Sequence, residues 1–285
     1  NTPRFLLEYF FLLEKKIKAL LAYSLIYGVM YMGFVTFMAF NNPQIESIFL
    51  GLIFVALVRF VILTILIFKK SECKYTLNDV LKYCSSSLPL LLSLLLSGSA
   101  DYIDSFLTTV YFGQEQLAIF KYGAKELPLS LLLANALSNA MVPVFSNSSD
   151  FSKTVHELKT RVTKLIRIIF PVTILLMLTA SWIYPLVFSE RFSDSAFIFC
   201  IYLLLVCSRV LMPQTILLAK GCYNQIAVIS ALELLINIAA SIFLIKFFGL
   251  YGIALGTVIA FMSEKLILLY FVKRKFQIIV SDLIP

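Results

Sequence analysis

The sequence has few charged residues for its length of 285. Asp, Glu, Lys and Arg make up 14% of it, whereas an ordinary soluble domain contains about 25%. Hydrophobic residues make up 60%, and they include 26 Phe and 14 Tyr. So few charged side chains cannot cover this much apolar surface in water. The composition excludes an ordinary soluble globular protein and predicts that much of the surface faces lipid.

Residues that commonly support catalysis or metal binding are also scarce. The single histidine, His156, lies in a segment rich in charged residues. The sequence contains no GxSxG, no HExxH and no phosphate-binding glycine loop. The five cysteines form no CxxC pair and have no His partner at ligand spacing, so we interpret them as packing residues: Cys73, Cys84, Cys200, Cys207 and Cys222. We therefore expect a protein that is not an enzyme and that has no cofactor or metal site.

The sequence is instead dominated by long apolar runs. A transmembrane helix needs roughly 20 mostly apolar residues, and eight runs meet this requirement: 19–40, 46–68, 84–112, 122–145, 168–188, 196–218, 223–245 and 250–272. The segments that connect them are too short to form a separate domain. The sequence thus predicts an all-α fold, a polytopic transmembrane helix bundle of about eight spans.

The basic residues are distributed unevenly between the two sides of this predicted bundle. Of the 24 Lys and Arg residues, 17 lie in the chain ends and in every second connection, while the opposite loops hold three. Because cytoplasmic segments carry an excess of Lys and Arg, both termini of the chain are predicted to be cytoplasmic. The net charge of +8 then reflects membrane topology, and we expect no nucleic-acid partner.

Two arginines lie deep inside predicted spans. Arg59 and Arg209 are each nine residues, or roughly 14 Å of helix rise, from the cytoplasmic end, which is too far for easy snorkelling. One interpretation is that they line a central cavity, where a guanidinium fork suits a phosphate group. Lys125 is the third candidate for such substrate binding. The other interpretation is that each arginine forms a structural ion pair with an acid such as Glu233 or Glu264.

The third predicted span is longer than a bilayer requires. Its 29 residues would form a helix of about 43 Å, beyond a hydrocarbon core of about 30 Å. Pro89 removes a backbone donor and Gly98 weakens the helix, so we expect irregular backbone near these residues. Irregular backbone at membrane depth is tolerated where it lines a cavity or is buried in protein.

Acidic residues inside the spans are candidates for coupling to an ion. Asp101 and Asp104 are three residues apart and share a helix face. They form either an ion pair with Lys125 or a proton or sodium site in the irregular part of the span. Glu233 is the third candidate, because an ionisable group at membrane depth is costly and needs a reason to be there.

Residues 84–146 contain a series of spaced motifs: Leu88-Pro89, Asp104, Phe112-Gly113, Glu115 and Val142-Pro143. This pattern resembles the seventh and eighth helices of bacterial polysaccharide flippases, although Lys121-Tyr122 stands where Gly-x-Tyr is usual in that family. These flippases are the O-antigen and repeat-unit exporters of the multidrug/oligosaccharidyl-lipid/polysaccharide (MOP) superfamily.

This resemblance implies a molecule of twelve or more helices in two lobes, of which the eight spans are helices five to twelve. Residues 1–83 would be the last two helices of the N-terminal lobe with the cytoplasmic linker, and 84–285 a complete six-helix C-terminal lobe. We expect four further helices upstream of this chain. A shift of 205 residues that places Gly51 on Gly256 and Lys69-Lys70 on Arg274-Lys275 agrees with two related lobes.

The resemblance also implies a function in the bacterial cytoplasmic (inner) membrane. Such flippases move an undecaprenyl-diphosphate-linked oligosaccharide from the cytoplasmic to the periplasmic leaflet. The expected partners are this lipid-linked oligosaccharide, the lipid bilayer, and H⁺ or Na⁺ as the coupling ion.

Two alternatives stay open at this point. One is a cation-coupled multidrug exporter of the same fold. The other is a membrane enzyme of lipid-linked glycan assembly, which should carry its catalytic groups in a sizeable outer loop. The outer loops predicted here are each shorter than ten residues, which disfavours the enzyme.

Overall fold

A computed structural model describes residues 17–41, 45–70, 76–148 and 150–278. Within these ranges the chain consists of α-helices, one short 3₁₀ turn at Glu190–Phe192 and connecting turns, with no strand. The helices are α1 (Ile17–Asn41), α2 (Ile45–Lys70), α3 (Leu77–Gly123), α4 (Pro128–Asn147), α5 (Phe151–Phe188), α6 (Ser193–Leu203), α7 (Leu205–Arg209), α8 (Pro213–Ala219), α9 (Tyr223–Phe248) and α10 (Leu250–Phe276).

The predicted all-α membrane bundle is confirmed. Among the described residues, seven helical segments are long and apolar enough to cross a membrane. The remaining predicted span, 46–68, is also helical and corresponds to α2, whose apolar stretch is Phe49–Ile65. The protein is therefore a multi-pass membrane protein.

The chain divides into two compact units, Asn1–Leu77 and Asn78–Pro285. In the described part of the first unit, α1 and α2 pack as a hairpin. The rings of Phe34 and Phe54 stack between them with centroids 5.7 Å apart. Gly51 lies directly under Phe34 and Met38, so the absence of a side chain at Gly51 allows the two helices to approach closely.

The second unit contains two main buried clusters of apolar side chains. One joins α4, α5, α8 and α10 through residues such as Met141, Leu158, Ile216 and Leu268. The other joins α3, α6, α7 and α10 through residues such as Leu107, Phe120, Ile198, Leu205 and Ile253. Several polar residues of this unit are also buried, and they include Asp104, Glu233, Asn237 and Thr257.

Helix α3 bends at a different place from the one that the sequence predicts. It is helical through Pro89 and Gly98, and the non-helical residue is Gly113, with a φ of 83°. The Nζ of Lys121 lies 2.8 Å from the Oδ1 of Asp101, although 20 residues of straight helix would separate them by about 30 Å. The chain therefore folds back at Gly113. Glycine adopts this positive φ without a Cβ clash, whereas a proline inside a membrane helix is readily accommodated.

Two other predicted spans differ from the observed helices next to a proline. The predicted span 122–145 begins as helix only at Pro128, and residues 124–127 are non-helical. The predicted span 196–218 is interrupted at residues 210–212, before α8 starts at Pro213. Proline favours the first turn of a helix and disfavours helical backbone at the residue before it. Each proline thus marks a new helix start.

Helices α9 and α10 form a closely packed hairpin. A Cβ placed on Gly256 would overlap Ser241 of α9, and one placed on Gly252 would overlap the backbone of Leu244. Small residues four positions apart let two helix backbones approach in this way. The close approach brings polar side chains on the facing sides of the two helices into hydrogen-bonding distance.

Candidate functional site

Asp104 lies at the centre of a buried polar cluster in the second unit. Its side chain is 1% exposed. Its Oδ2 accepts hydrogen bonds from the hydroxyl of Tyr202 at 3.0 Å and from that of Thr257 at 2.6 Å. Thr257 in turn accepts a hydrogen bond from the Nδ2 of Asn237 at 3.1 Å. Four helices, α3, α6, α9 and α10, thus contribute one polar side chain each.

Two oxygens of this cluster have no hydrogen-bond partner among the described residues. They are the Oδ1 of Asp104 and the Oδ1 of Asn237, and both side chains are buried. Buried polar atoms in native proteins are normally paired, since an unpaired one is costly. One carboxylate oxygen and one amide oxygen of the cluster are therefore unpaired among the described residues.

The structure contains no group of three or more His, Cys, Asp or Glu side chains suited to a metal ion within its described ranges. The Asp104 cluster fits this result, because it combines one carboxylate with neutral oxygens. Hard cations take oxygen ligands, and one carboxylate balances one positive charge. The donor set thus suits a monovalent cation or a proton better than a divalent metal ion.

The sequence predicts Asp104 as a candidate, but it does not indicate its partners Tyr202, Asn237 and Thr257. One signal was available in α9. Four buried polar residues follow one another at intervals of three or four along an otherwise apolar helix: Ser230, Glu233, Asn237 and Ser241. This spacing places them on one face, the face that packs against α10.

Asp101, predicted together with Asp104, has a different environment. It is exposed and pairs with Lys121. The expected partner Lys125 is itself exposed in the non-helical segment 124–127. The pairing of Asp101 with Lys125 is thus wrong, because the fold-back at Gly113 presents Lys121 instead.

Arg209 is bound by an acid that the sequence does not single out as its partner. Its Nε and Nη2 donate to the two carboxylate oxygens of Glu126 at 2.9 Å and 2.7 Å. The guanidinium carbon lies 5.1 Å from the centroid of the Phe261 ring. Both members of the pair lie beside breaks in helical structure, Glu126 in segment 124–127 and Arg209 at the end of α7. The bidentate pair therefore connects two irregular segments.

A second ion pair lies close to the first. On α10, the Nζ of Lys265 is 2.7 Å from the Oε2 of Glu264, and both side chains are buried. Lys265 also reaches the side chain of Gln214, at 3.5 Å. Arg209 and Lys265 line a polar pocket of about 60 Å³. The other polar residues that line it are Asn135, Ser138, Gln214 and Thr215.

Arg59, in the first unit, has no acidic partner among the described residues. Its Nε donates to the hydroxyl of Tyr23 at 2.8 Å. Its guanidinium carbon lies 3.9 Å from the centroid of the Tyr27 ring. These contacts orient the guanidinium by hydrogen bonding and cation–π attraction, but within the described ranges they place no anion beside its positive charge.

Arg59 also lines a groove between α1 and α2 of about 600 Å³. The walls of this groove are otherwise apolar or aromatic, and include Tyr23, Tyr27, Phe34, Phe54 and Val58. The groove thus combines a long apolar surface with one positive charge.

The polysaccharide biosynthesis protein family matches residues 9–197 of the chain. No curated protein matches the chain. Solved structures do match, at low sequence identity.

A MATE protein solved in the straight conformation has a TM-score of 0.62 and 15% identity, over 90% of this chain and 62% of that protein. MATE in complex with MaL6 gives a TM-score of 0.63 and 16% identity over the same shares. A MOP superfamily transporter from Pyrococcus furiosus is described as having a binding pocket of reverse polarity. It gives a TM-score of 0.54 and 17% identity over 70% of this chain and 47% of that protein. The chain shares the fold of these proteins and covers about half to three fifths of their length.

Proposed function

Because the chain belongs to the polysaccharide biosynthesis protein family, we propose that it acts as a flippase for surface polysaccharide assembly. The substrate is an undecaprenyl-diphosphate-linked oligosaccharide, which moves from the cytoplasmic to the periplasmic leaflet of the bacterial inner membrane. The observation that carries the proposal is the family match on a chain that has the fold of MOP superfamily transporters.

The groove of the first unit has features that suit a substrate with a lipid chain and an anionic group. Its apolar and aromatic walls suit an isoprenoid chain, and Arg59 supplies a positive charge that no described acid neutralises. A guanidinium donates two parallel hydrogen bonds to a phosphate. Arg59 is therefore the first candidate for contact with the diphosphate.

Lys125 and Arg209 are the other two candidates for contact with the diphosphate, and they differ in whether an acid already binds them. Lys125 is exposed and forms no ion pair with a described acid, so it can meet an anion directly. Arg209 is held by Glu126, and together with Lys265 it lines a polar pocket of about 60 Å³. A phosphate that took Arg209 as its ligand would first have to displace Glu126.

Coupling to a cation is assigned to Asp104. Its unpaired Oδ1 and that of Asn237 are suited to Na⁺, and the buried carboxylate is equally able to take a proton. Ionisable residues buried among membrane helices commonly serve ion or proton pathways. Asp101 is less suited to this role, because it is exposed and already paired with Lys121.

The test measures surface polysaccharide per folded copy of the protein, in cells whose own copy of the gene is deleted. Arg59→Lys keeps the charge but loses the fork and the flat stacking surface, so export should fall severalfold, and Arg59→Ala should reduce it further. Arg161→Ala is the control, because Arg161 forms an exposed pair on α5. Normal surface polysaccharide in the deletion strain, combined with raised sensitivity to cationic drugs, would favour the multidrug exporter instead.

A further inference from the structure

Five ionisable side chains meet inside the second unit, and their charges do not balance. Two are basic, Arg209 and Lys265, and three are acidic, Glu126, Glu233 and Glu264. The ion pairs Glu126–Arg209 and Glu264–Lys265 neutralise four of them. Glu233 remains as the one acid of this set without an ion-pair partner among the described residues. If all five were ionised, the network would carry a net charge of −1, and its unpaired member Glu233 is buried.

The surroundings of Glu233 make that charge costly. Its side chain is 1% exposed, and neither carboxylate oxygen has a hydrogen-bond partner among the described residues. The charges that act on it are Glu264, which repels it, and Lys265 and Arg209, which attract it but are already paired. A buried, unpaired carboxylate costs far more than a neutral carboxyl group at the same place.

We propose that Glu233 binds a proton at neutral pH, so that Glu126, Arg209, Glu233, Glu264 and Lys265 together form a proton-binding site distinct from the Asp104 cluster. With that proton the network is electrically neutral. The two sites are neighbours, since Glu233 precedes Asn237 by one turn of α9. The inference does not depend on which substrate the protein carries.

Loss of the proton has a structural consequence. An ionised Glu233 competes with Glu126 for Arg209, which is within electrostatic range of both acids. The Glu126–Arg209 pair connects the segment 124–127 to the end of α7, next to the break at residues 210–212. Proton release would therefore weaken the connection between two irregular segments of the bundle.

Infrared spectroscopy tests the protonation directly, because a protonated carboxylic acid and a carboxylate have separate carbonyl bands. The full chain is measured in lipid nanodiscs at neutral pH. Glu233→Gln should remove one protonated-acid band and leave the melting temperature unchanged, since Gln mimics the neutral acid in shape and polarity. In Asp104→Asn, the band assigned to Glu233 should persist. The proposal is overturned if the spectrum of Glu233→Gln retains the band, or if Glu233→Gln no longer folds.

A second pair of variants tests the competition for Arg209. Glu126→Gln leaves Arg209 without its carboxylate, so Glu233 should ionise to replace it and its protonated band should be lost. Glu157→Gln is the matched control, because it breaks an Arg–Glu pair of the same length on the exposed side of α5. The competition is excluded if the Glu233 band keeps its full intensity in Glu126→Gln.

Discussion

Two arginine–glutamate pairs in this protein have the same length and different surroundings. Arg209–Glu126 and Arg161–Glu157 both have N···O distances of 2.7 Å. The side chains of the first pair are about a fifth exposed, at 22% and 21%, whereas those of the second are about half exposed, at 50% and 43%. Removing one partner of the partly buried pair leaves a charge that water solvates only in part, whereas an exposed partner is fully solvated.

Arg209→Ala should therefore destabilise the protein much more than Arg161→Ala. Breaking a fully buried pair costs about 3–5 kcal/mol, so we expect a somewhat smaller loss for the partly buried Arg209–Glu126 pair and a loss of less than about 1 kcal/mol for the exposed one. Arg209→Lys should fall between them, because Lys keeps the charge but donates no bidentate pair. Thermal unfolding in the same detergent measures all three. Equal losses for Arg209→Ala and Arg161→Ala would contradict the structural role of the Glu126 pair.

Asp104 and Asp101 provide a similar comparison for cation binding. A cation that binds only the folded protein raises its stability, by about 2.7 kcal/mol when present at 100 times its Kd. Replacing K⁺ by Na⁺ should thus raise the melting temperature of the unmodified protein. Asp104→Asn should abolish this rise, and Asp101→Asn should preserve it, because Asp101 is exposed and paired with Lys121. A Na⁺-dependent rise that survives in Asp104→Asn would exclude Asp104 as the ligand.

At the scale of secondary structure, the irregular points of the helices determine where the polar groups meet. Gly113 reverses the direction of α3, and residues 124–127 and 210–212 interrupt helical structure beside Glu126 and Arg209. Non-helical backbone at membrane depth is tolerated when protein groups surround it. The ion pair between Glu126 and Arg209 supplies such groups to both breaks.

The α9–α10 hairpin depends on the absence of a side chain at Gly256. Gly256→Ala would push a methyl group into Ser241, and overpacking of this kind costs about 1–3 kcal/mol. It should also separate Asn237 from Thr257 and weaken the Asp104 cluster. Gly98→Ala is the control, because Gly98 is helical and a Cβ there meets nothing within 4 Å. That control should leave stability unchanged or raise it slightly, and melting temperatures of the two variants decide the comparison.

For the whole molecule, the distribution of basic residues predicts the orientation in the membrane. In a background without the five native cysteines, a membrane-impermeant thiol reagent should label Gln114→Cys from outside the cell. His156→Cys, on the basic first turns of α5, should be labelled only after the membrane is opened. The reverse result would mean that the predicted orientation is inverted. Both positions are exposed, so protein burial does not confound the measurement.

For four of the membrane helices the sequence alone was sufficient to place both ends closely. Observed α1, α2, α9 and α10 agree with the predicted spans within a few residues, because a long apolar run in lipid must satisfy its backbone hydrogen bonds internally as a helix. The sequence also singled out Asp104, Glu233, Arg59 and Arg209, since a charged residue in an apolar run stands out by composition.

Which of these charged residues meet, and where the helices break, was decided by the tertiary structure. Arg209 pairs with an acid 83 residues earlier, and Asp104 with a threonine 153 residues later. The break at Gly113 rather than at Pro89 likewise depends on the packing around α3. Helix periodicity fixes which face of a helix a side chain occupies. It contains no information about which helix packs against that face, and in a membrane the partner determines whether a buried charge is paired, protonated or free to bind an ion.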